Sequence, residues 1–393
     1  MYILYIVAVV SAIFLNTSIL TLFGIKNTMG IAFAPMLLYI AIMLLFKKIR
    51  YNKINVYILI LAVIIILFKF CIGQDYINTV IRFLVIPVLL SICFENLARK
   101  ELIVLLWSVI IFYVANCGLS IVEWTLNRNF FGDPEGNRYW LGMGFFRSTS
   151  LLGHPLTNAQ VVSVIMTFIA VSDFKKKYIQ IILFFLGYVS LFCFNARGAI
   201  LVVTIFTFPY FIWKLNKTVQ KSTKKMIRLS IICMSCCMIY LVTLTPLGGK
   251  LVNMELLDSS GQTRLDAFQF YKHYQSIDEF LWGIHYDNLD HIIDRVNGST
   301  VENGVIMLLL FYGIFFTIPM LLLLFRFQYH KLSVYPKYEK WLLLAIFFII
   351  GTMNPNLAMP IQWVMWVFAY YAFRPEFHPQ QNENDLHIKT VLS

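Results

Sequence analysis

Three arginines in this chain have a setting that suits a phosphorylated ligand. Arg147 precedes a long apolar run, Arg197 directly follows one, and Arg264 lies in a polar stretch between two of them. Charges at or near membrane depth are costly, so they commonly mark a functional site or a buried ion pair. A guanidinium group presents paired donors to phosphate oxygens, of which a pyrophosphate has several. Converging on one site, the three side chains would bind a pyrophosphate carried by a lipid.

Lys69 and Arg82 are two further basic residues, each near the end of an apolar run. A long basic side chain in this position can also reach the lipid headgroups while its stem stays among apolar groups. For Lys69 we favour the headgroup interpretation. Arg82 is equally consistent with the headgroups and with the phosphate site.

Glu302 is the candidate for a general base. It directly precedes the apolar run that starts at Asn303, and Gly313 follows after nine further residues. A carboxylate beside a desolvated phosphate site could accept a proton from an attacking hydroxyl group. The alternative is structural, because the dipole of a helix favours an acidic residue at its N-terminus.

Histidines and aromatic residues supply weaker candidates. His154 and Pro155 open an apolar run, where proline commonly starts a helix and a histidine can act as a polar cap. His285 shares the stretch 285–291 with two aspartates and another histidine, but the spacing matches no zinc signature, so we expect no bound metal. Tyr271 belongs to a set of apolar and aromatic residues about three apart, which suits an interfacial amphipathic helix or a surface that stacks on sugar rings.

The overall composition is that of a membrane protein. Of the 393 residues, 59% are hydrophobic and 13% are charged, and the mean hydropathy is +0.73. Soluble domains have about 45–50% apolar and about 25% charged residues, so an ordinary cytosolic enzyme is excluded. The net charge of +12 fits basic residues that set membrane topology. The chain has no nucleic-acid-binding signature, so nucleic acid is not an expected partner.

Runs of about 20 apolar residues are long enough to cross a bilayer as helices. They predict an all-α, polytopic transmembrane fold in which residues 1–373 form one domain and residues 374–393 a polar cytoplasmic tail. The last two runs are short, and the break at 351–356 allows either two spans or a re-entrant hairpin. We predict about twelve spans, at residues 2–23, 30–46, 54–73, 77–94, 102–122, 154–172, 178–195, 198–213, 227–247, 303–325, 341–353 and 356–373.

The distribution of Lys and Arg predicts the orientation of the spans. Alternate short connections hold 21 of the 32 basic residues, and connections of this kind usually lie in the cytoplasm. Both termini are then cytoplasmic. The two long loops, about 123–153 and 248–302, lie on the extracytoplasmic side, and their mixed composition indicates folded structure.

Four short segments, in this order, resemble the Wzy-type polysaccharide polymerases and O-antigen ligases of bacterial envelopes. The first is Arg147 with Gly153-His154-Pro155 and Asn158, which resembles the arginine and G/H-P segment before a central span of that family. The second is Asn195-Ala-Arg197-Gly198-Ala, which resembles the S-R-G-A turn of the family, with Asn195-Ala196 in place of its usual start.

The other two segments lie nearer the C-terminus. Gly261-Gln-Thr-Arg264 followed by Leu281-Trp-Gly283 resembles the arginine and "plfG" pair of the family's large outer loop. Glu302-Asn303, nine residues and Gly313 resemble the H-N-x9-G element of the ligases. The ligases carry a catalytic histidine where this chain has Glu302, which favours a polymerase. The resemblance covers roughly residues 140–325.

The resemblance implies a membrane-embedded, GT-C-like glycosyltransferase that needs no metal or other cofactor. Its donor would be a glycan on undecaprenyl pyrophosphate, and its acceptor another lipid-linked repeat unit. The acceptor hydroxyl attacks the anomeric carbon of the donor sugar, and undecaprenyl pyrophosphate leaves. We expect catalytic roles for Glu302, Arg264, Arg197 and Arg147, and substrate contacts from Arg82, His154, Asn303, Tyr271 and His285.

The same resemblance implies a location in the bacterial cytoplasmic membrane, with the active site facing outside. Expected partners are the lipid-linked oligosaccharide, the lipid bilayer, a flippase and a chain-length regulator. One alternative is an O-antigen-type ligase, whose acceptor is lipid A core or a protein. Another is a transporter or flippase for the same lipid-linked sugars, although a transporter should carry its polar residues near the bilayer midplane.

Overall fold

The computed structural model describes residues 2–15, 28–46, 52–72, 80–131, 146–174, 176–218, 276–284 and 303–375, together with three single helical residues, Lys225, Ile232 and Tyr240. Within these ranges the chain is mostly helical and contains no strand. The predicted all-α class is confirmed for this part of the chain.

The apolar runs form α-helices throughout the described ranges. In chain order these are α1 (Tyr2–Val10), α2 (Thr28–Phe46), α3 (Lys53–Cys71), α4 (Ile86–Phe94), α5 (Arg99–Leu126), α6 (Pro155–Val171), α7 (Lys177–Cys193), α8 (Arg197–Val202), α9 (Phe208–Thr218), α10 (Ile277–Trp282), α11 (Gly304–Lys331), α12 (Lys337–Thr352) and α13 (Pro360–Ala372). Three π turns continue this pattern: Ser11–Leu15 after α1, Ile81–Val85 before α4 and Val203–Thr207 between α8 and α9. Two 3₁₀ turns, Leu332–Val334 and Pro355–Ala358, precede α12 and α13.

Within the described ranges, four helical stretches are long and apolar enough to cross a membrane, namely Lys53–Cys71, Arg99–Leu126, Arg197–Lys217 and Gly304–Val334. Along one face of α3 the large apolar side chains are about half exposed. Contiguous apolar surface of this kind is unusual in a soluble monomer, and it is suited to contact with lipid tails.

Helices occupy eleven of the twelve predicted spans. The remaining one, 227–247, lies outside the described residues apart from two single positions. α5 continues past the predicted end of its span at residue 122 and reaches Leu126. The first long loop therefore begins later than predicted, and Glu123 is part of the helix.

α13 lies at the centre of the packing. Every residue from Gln362 to Ala372 is buried, and the helix packs against α4, α5 and α6. A helix that is apolar all round belongs in such a core, which explains why this run has no polar face. α12 and α13, about 24 and 20 Å long at 1.5 Å per residue, are the two helices predicted within residues 341–373.

Connections rich in basic residues meet at one end of the helices, which we call the basic end. Lys331 pairs there with Glu95. Lys214 pairs with Glu339 at 3.2 Å between Nζ and Oε1, and it also lies 3.6 Å from an Asp173 oxygen. The residues of these ion pairs lie in or beside the short connections that the distribution of Lys and Arg predicts to share the cytoplasmic side. At the opposite end, which we call the site end, α5 stops and α6, α8, α11 and α13 begin.

Candidate functional site

A buried carboxylate organises the segment that precedes α6. Glu123, in the last turn of α5, is fully buried. Its Oε2 atom accepts hydrogen bonds from the Ser148 hydroxyl at 2.6 Å and from the amide groups of Thr149 and Ser150 at 3.0 and 2.8 Å. Its Oε1 atom accepts from the Phe130 amide at 2.8 Å. Four donors therefore satisfy a carboxylate that would be costly to bury alone.

Two asparagines extend this support to the neighbouring backbone. The Asn129 side chain donates to the Arg147 carbonyl oxygen at 2.9 Å. Asn116 lies seven residues before Glu123 and so on the same face of α5, and its side-chain oxygen accepts from the Leu151 amide at 3.1 Å. The backbone around Arg147 is therefore tied to the end of α5 at several points.

The Arg147 side chain reaches the turn that leads into Arg197. Its Nε donates to the Phe194 carbonyl oxygen at 3.2 Å. At Asn195 the backbone has a φ of 51°, a left-handed conformation that asparagine tolerates better than most residues. This turn ends α7 and lets α8 begin at Arg197. Arg147 and Arg197, both half buried, thus lie on adjoining segments although 50 residues separate them in the sequence.

The connecting turn between α12 and α13, residues 353–359, contacts the start of α6. Its Asn356 side chain accepts from the Thr157 hydroxyl at 3.2 Å and donates to the Leu156 carbonyl oxygen at 2.8 Å. Thr157 and Leu156 are in the first turn of α6, directly after His154 and Pro155. The side chain of His154 is exposed at this helix start.

The same connecting turn lies against the starts of α8 and α11. A Cβ atom built on Gly304 would lie only 2.6 Å from Leu357 Cβ, and one built on Gly198 would lie 3.2 Å from the Met353 sulfur. Gly304 allows a close approach of two backbones, since its Cβ would also lie 2.7 Å from the Gly351 carbonyl oxygen, whereas Gly198 leaves room for the Met353 side chain. The starts of α6, α8 and α11 therefore surround one turn.

Helix starts give the site end a positive electrostatic character. Among the described helices, α6, α8, α11 and α13 begin there, and each helix N-terminus carries partial positive charge and N–H groups that its own helix does not use. Arg147 and Arg197 add full charges to the same region. Anions bind readily in such a setting, so the site end can accommodate a phosphorylated group.

Asn303 has a structural role at the start of α11. Its side-chain oxygen accepts hydrogen bonds from the Val305 and Ile306 amides at 3.0 and 3.1 Å, which caps the helix. The substrate contact expected from Asn303 stays a prediction. Glu302 directly precedes this cap in the sequence.

Lys69 does not extend towards the headgroups, so the interpretation favoured from the sequence is wrong. The residue is fully buried. Its ammonium group donates to the carbonyl oxygens of Trp282 at 2.6 Å and Phe311 at 3.2 Å. Lys69 thereby joins α3 to α10 and to α11.

Phe311 needs such a donor because α11 is broken two residues later. Gly313 has a φ of 68° and a ψ of 174°, which interrupts the helix and leaves carbonyl groups without helical partners. The Leu308 carbonyl oxygen accepts instead from the Thr317 hydroxyl at 2.9 Å, and the Leu310 carbonyl oxygen accepts from the Ile284 amide at 2.8 Å. The "plfG"-like segment and the kinked helix are therefore one hydrogen-bonded unit.

Arg82 also lies at the site end. It is half buried in the π turn before α4. Its neighbour Phe83 packs edge-on against Trp363, in the first turn of α13, with ring centroids 5.6 Å apart. Arg82 is thus beside the start of α13.

The predicted site residues divide into two groups. The first, which the structure places at the site end, comprises Arg82, Arg147, His154, Arg197 and Asn303. The second lies outside the described residues and comprises Arg264, Tyr271, His285 and Glu302.

Sequence reasoning missed Glu123 and the connecting turn. A signal for Glu123 was present, since it interrupts the end of an apolar run and follows Asn116 at a helical spacing. The connecting turn carries Asn354-Pro-Asn356, which predicted only a break between two helices.

The fold and this site define a class of protein: an α-helical chain with helices long enough to cross a membrane and with Arg82, Arg147 and Arg197 at the end where the site lies. No protein-family model matches the chain, and no curated protein matches it. Its function is therefore argued from the site.

Proposed function

We propose that this protein is a Wzy-type polymerase, which joins undecaprenyl-pyrophosphate-linked repeat units into a bacterial surface polysaccharide. The observation that supports this most is the meeting of distant motif segments at the site end. The segment of Arg147 and His154, the turn of Arg197 and the start of α11 all adjoin one another or the connecting turn. The "plfG"-like segment is joined to the middle of α11 by the hydrogen bond from the Ile284 amide to the Leu310 carbonyl oxygen and through Lys69.

Arg147 and Arg197 are the proposed ligands of the pyrophosphate, together with Arg264. The sugar donor is already activated, so catalysis requires positioning of two substrates and stabilisation of charge on the departing pyrophosphate. Guanidinium groups and helix N-termini supply that charge stabilisation.

Glu302 is the proposed base. As the acceptor hydroxyl oxygen bonds to the anomeric carbon, its proton passes to the Glu302 carboxylate. The bond between the anomeric carbon and the phosphate oxygen breaks, and undecaprenyl pyrophosphate leaves with the electron pair. His154, at the start of α6, is proposed to contact the substrate.

The proposed setting is the outer leaflet of the bacterial cytoplasmic membrane. There the chain is a GT-C-like enzyme with about twelve spans and with cytoplasmic termini. The site end then faces outside and the basic end faces the cytoplasm. A flippase would supply the lipid-linked repeat units, and a chain-length regulator would act on the product.

Lipid-linked oligosaccharide from cells that lack this protein is the substrate for the decisive experiment. Such cells should accumulate single repeat units, which can be extracted and incubated with the purified protein. A ladder of longer chains on a gel is the expected result. No ladder, with transfer to added lipid A core instead, would identify a ligase. Repeat units that stay inaccessible to an impermeant lectin in the deletion strain would identify a transporter.

A further inference from the structure

We infer that Glu123 is a positioning residue of the site, which fixes the segment 147–150 so that the Arg147 guanidinium group is held for a pyrophosphate. The inference rests on the proposed function for the identity of the ligand. The position of the carboxylate and its hydrogen bonds are independent of that proposal.

The hydrogen bonds to Glu123 are unequally divided between its two oxygens. Among the described residues, Oε2 accepts from three consecutive ones, Ser148, Thr149 and Ser150, whereas Oε1 accepts only from Phe130. Consecutive donors that curve around one negative oxygen form a concave anion site. The shape of the segment after Arg147 therefore depends on a negatively charged acceptor.

Arg147 is then fixed from two directions. Its backbone is held through Asn129 and through the neighbouring bonds to Glu123, and its Nε is held by the Phe194 carbonyl oxygen. Phe194 belongs to the turn that leads into Arg197. A shift of the segment would therefore change the position of the Arg147 guanidinium relative to Arg197.

Glutamine is the informative replacement for Glu123. A side-chain amide has nearly the shape of a carboxylate, but one of its two polar atoms is a donor. With its oxygen in the place of Oε2, Glu123→Gln would point an NH₂ group at the Phe130 amide, which is also a donor. In the opposite orientation the amide nitrogen, itself a donor, would take the place of Oε2 and face the three donors of Ser148, Thr149 and Ser150. The first orientation replaces three hydrogen bonds to a charged oxygen by weaker bonds to a neutral one, and the second removes all three acceptors. Both loosen the segment while the helix stays intact.

Glu101 offers a matched control on the same helix. It is also a buried carboxylate, but it lies at the basic end of α5, where Oε2 accepts from the Ala98 amide at 2.7 Å and caps the helix. Glu101→Gln removes a buried charge of the same kind without touching the site end.

The experiment measures the affinity of the full-length protein in lipid nanodiscs for undecaprenyl pyrophosphate. We expect Glu123→Gln and Arg147→Lys each to weaken binding about 10-fold or more, the range for hydrogen bonds to charged groups. The double variant should bind no more weakly than Arg147→Lys alone, because both changes remove the same guanidinium contact. Glu101→Gln should bind as the wild type does.

Three results would overturn the inference. One is wild-type affinity in a folded Glu123→Gln protein, and another is a double variant in which the two losses multiply. If Glu123→Gln cannot be recovered folded, Ser148→Ala removes one donor only and should weaken binding about 3-fold, within the usual range for one hydrogen bond. Unchanged affinity in Ser148→Ala is the third. A wild-type protein that binds no undecaprenyl pyrophosphate would instead remove the proposed function, and this inference with it.

Discussion

Gly283 and Gly313 lie backbone against backbone, where the residue after α10 meets the break in α11. A Cβ atom built on Gly313 would lie 2.5 Å from the Gly283 amide nitrogen, and one built on Gly283 would lie 2.9 Å from the Gly313 amide nitrogen. Both residues have positive φ angles, 91° and 68°. Two segments that resemble separate motifs of one family are therefore joined through a contact that only glycine permits.

Gly313→Ala should strongly destabilise the protein. The left-handed backbone costs about 1–3 kcal/mol for a residue with a Cβ atom, and the added methyl group would also collide with the backbone near Gly283. Thermal unfolding in detergent, followed by circular dichroism, measures the loss. Gly118→Ala is the control, because nothing lies within 4 Å of its Cβ position in α5. It should raise stability by about 0.5–1 kcal/mol. Equal melting temperatures for the two variants would contradict the described kink.

Lys69→Met should destabilise the contact between α3, α10 and α11. Methionine keeps the length of the side chain but leaves the Trp282 and Phe311 carbonyl groups without the ammonium donor. A buried polar group that loses its partner costs about 1–3 kcal/mol. Lys53→Met, an exposed change on the first residue of the same helix, should alter stability by less than about 0.5 kcal/mol. If both variants unfold at the wild-type temperature, Lys69 does not join these helices.

Arg197→Lys and Arg264→Lys should each lose most polymer formation while the protein still inserts into the membrane. Lysine keeps the positive charge but lacks the paired donors that match phosphate oxygens. We expect a fall of about 10-fold or more, read from chain length in a complemented deletion strain. Arg99→Lys, an exposed change at the basic end, is the control and should leave polymer unchanged. Wild-type polymer from either site variant removes that arginine from the site.

Glu302→Gln should slow polymer formation about 10²–10⁴-fold, the usual contribution of a general base. The amide keeps the shape of the carboxylate but does not accept the proton, so lipid substrate should still bind and chains should stop at one repeat unit. Normal polymer from this variant would refute the base assignment and make His154 the next candidate. Loss of substrate binding would show that Glu302 acts in positioning instead.

The orientation of the spans is tested by labelling in whole cells. In a variant without the native cysteines, Ser259→Cys lies in the second long loop and should react with an impermeant thiol reagent. Ser222→Cys lies in a basic connection and should react only after the cells are permeabilised. The reverse pattern would invert the topology.

Much of the fold is determined by the sequence alone. Apolar runs of about 20 residues become helices because a backbone in lipid must satisfy its own hydrogen bonds. Runs such as 54–73 and 303–325 therefore predicted α3 and α11 to within a few residues, apart from the C-terminal end of α11. The alternation of basic connections also predicted that the residues around Lys214 and Lys331 share one end.

Only the tertiary structure decided which face of each helix packs against protein. Lipid tails and a protein core are both apolar, so hydropathy does not distinguish a lipid-facing side of a helix from a buried one. Lys69 therefore gave the same signal as a headgroup-binding lysine, although it is buried against two carbonyl oxygens. The contact of Glu123 with the segment after Arg147 joins residues 25–27 positions apart, and it depends on where a loop returns to its helix. No local pattern specifies that return, because it is set by the packing of α5, α6 and α7 against one another.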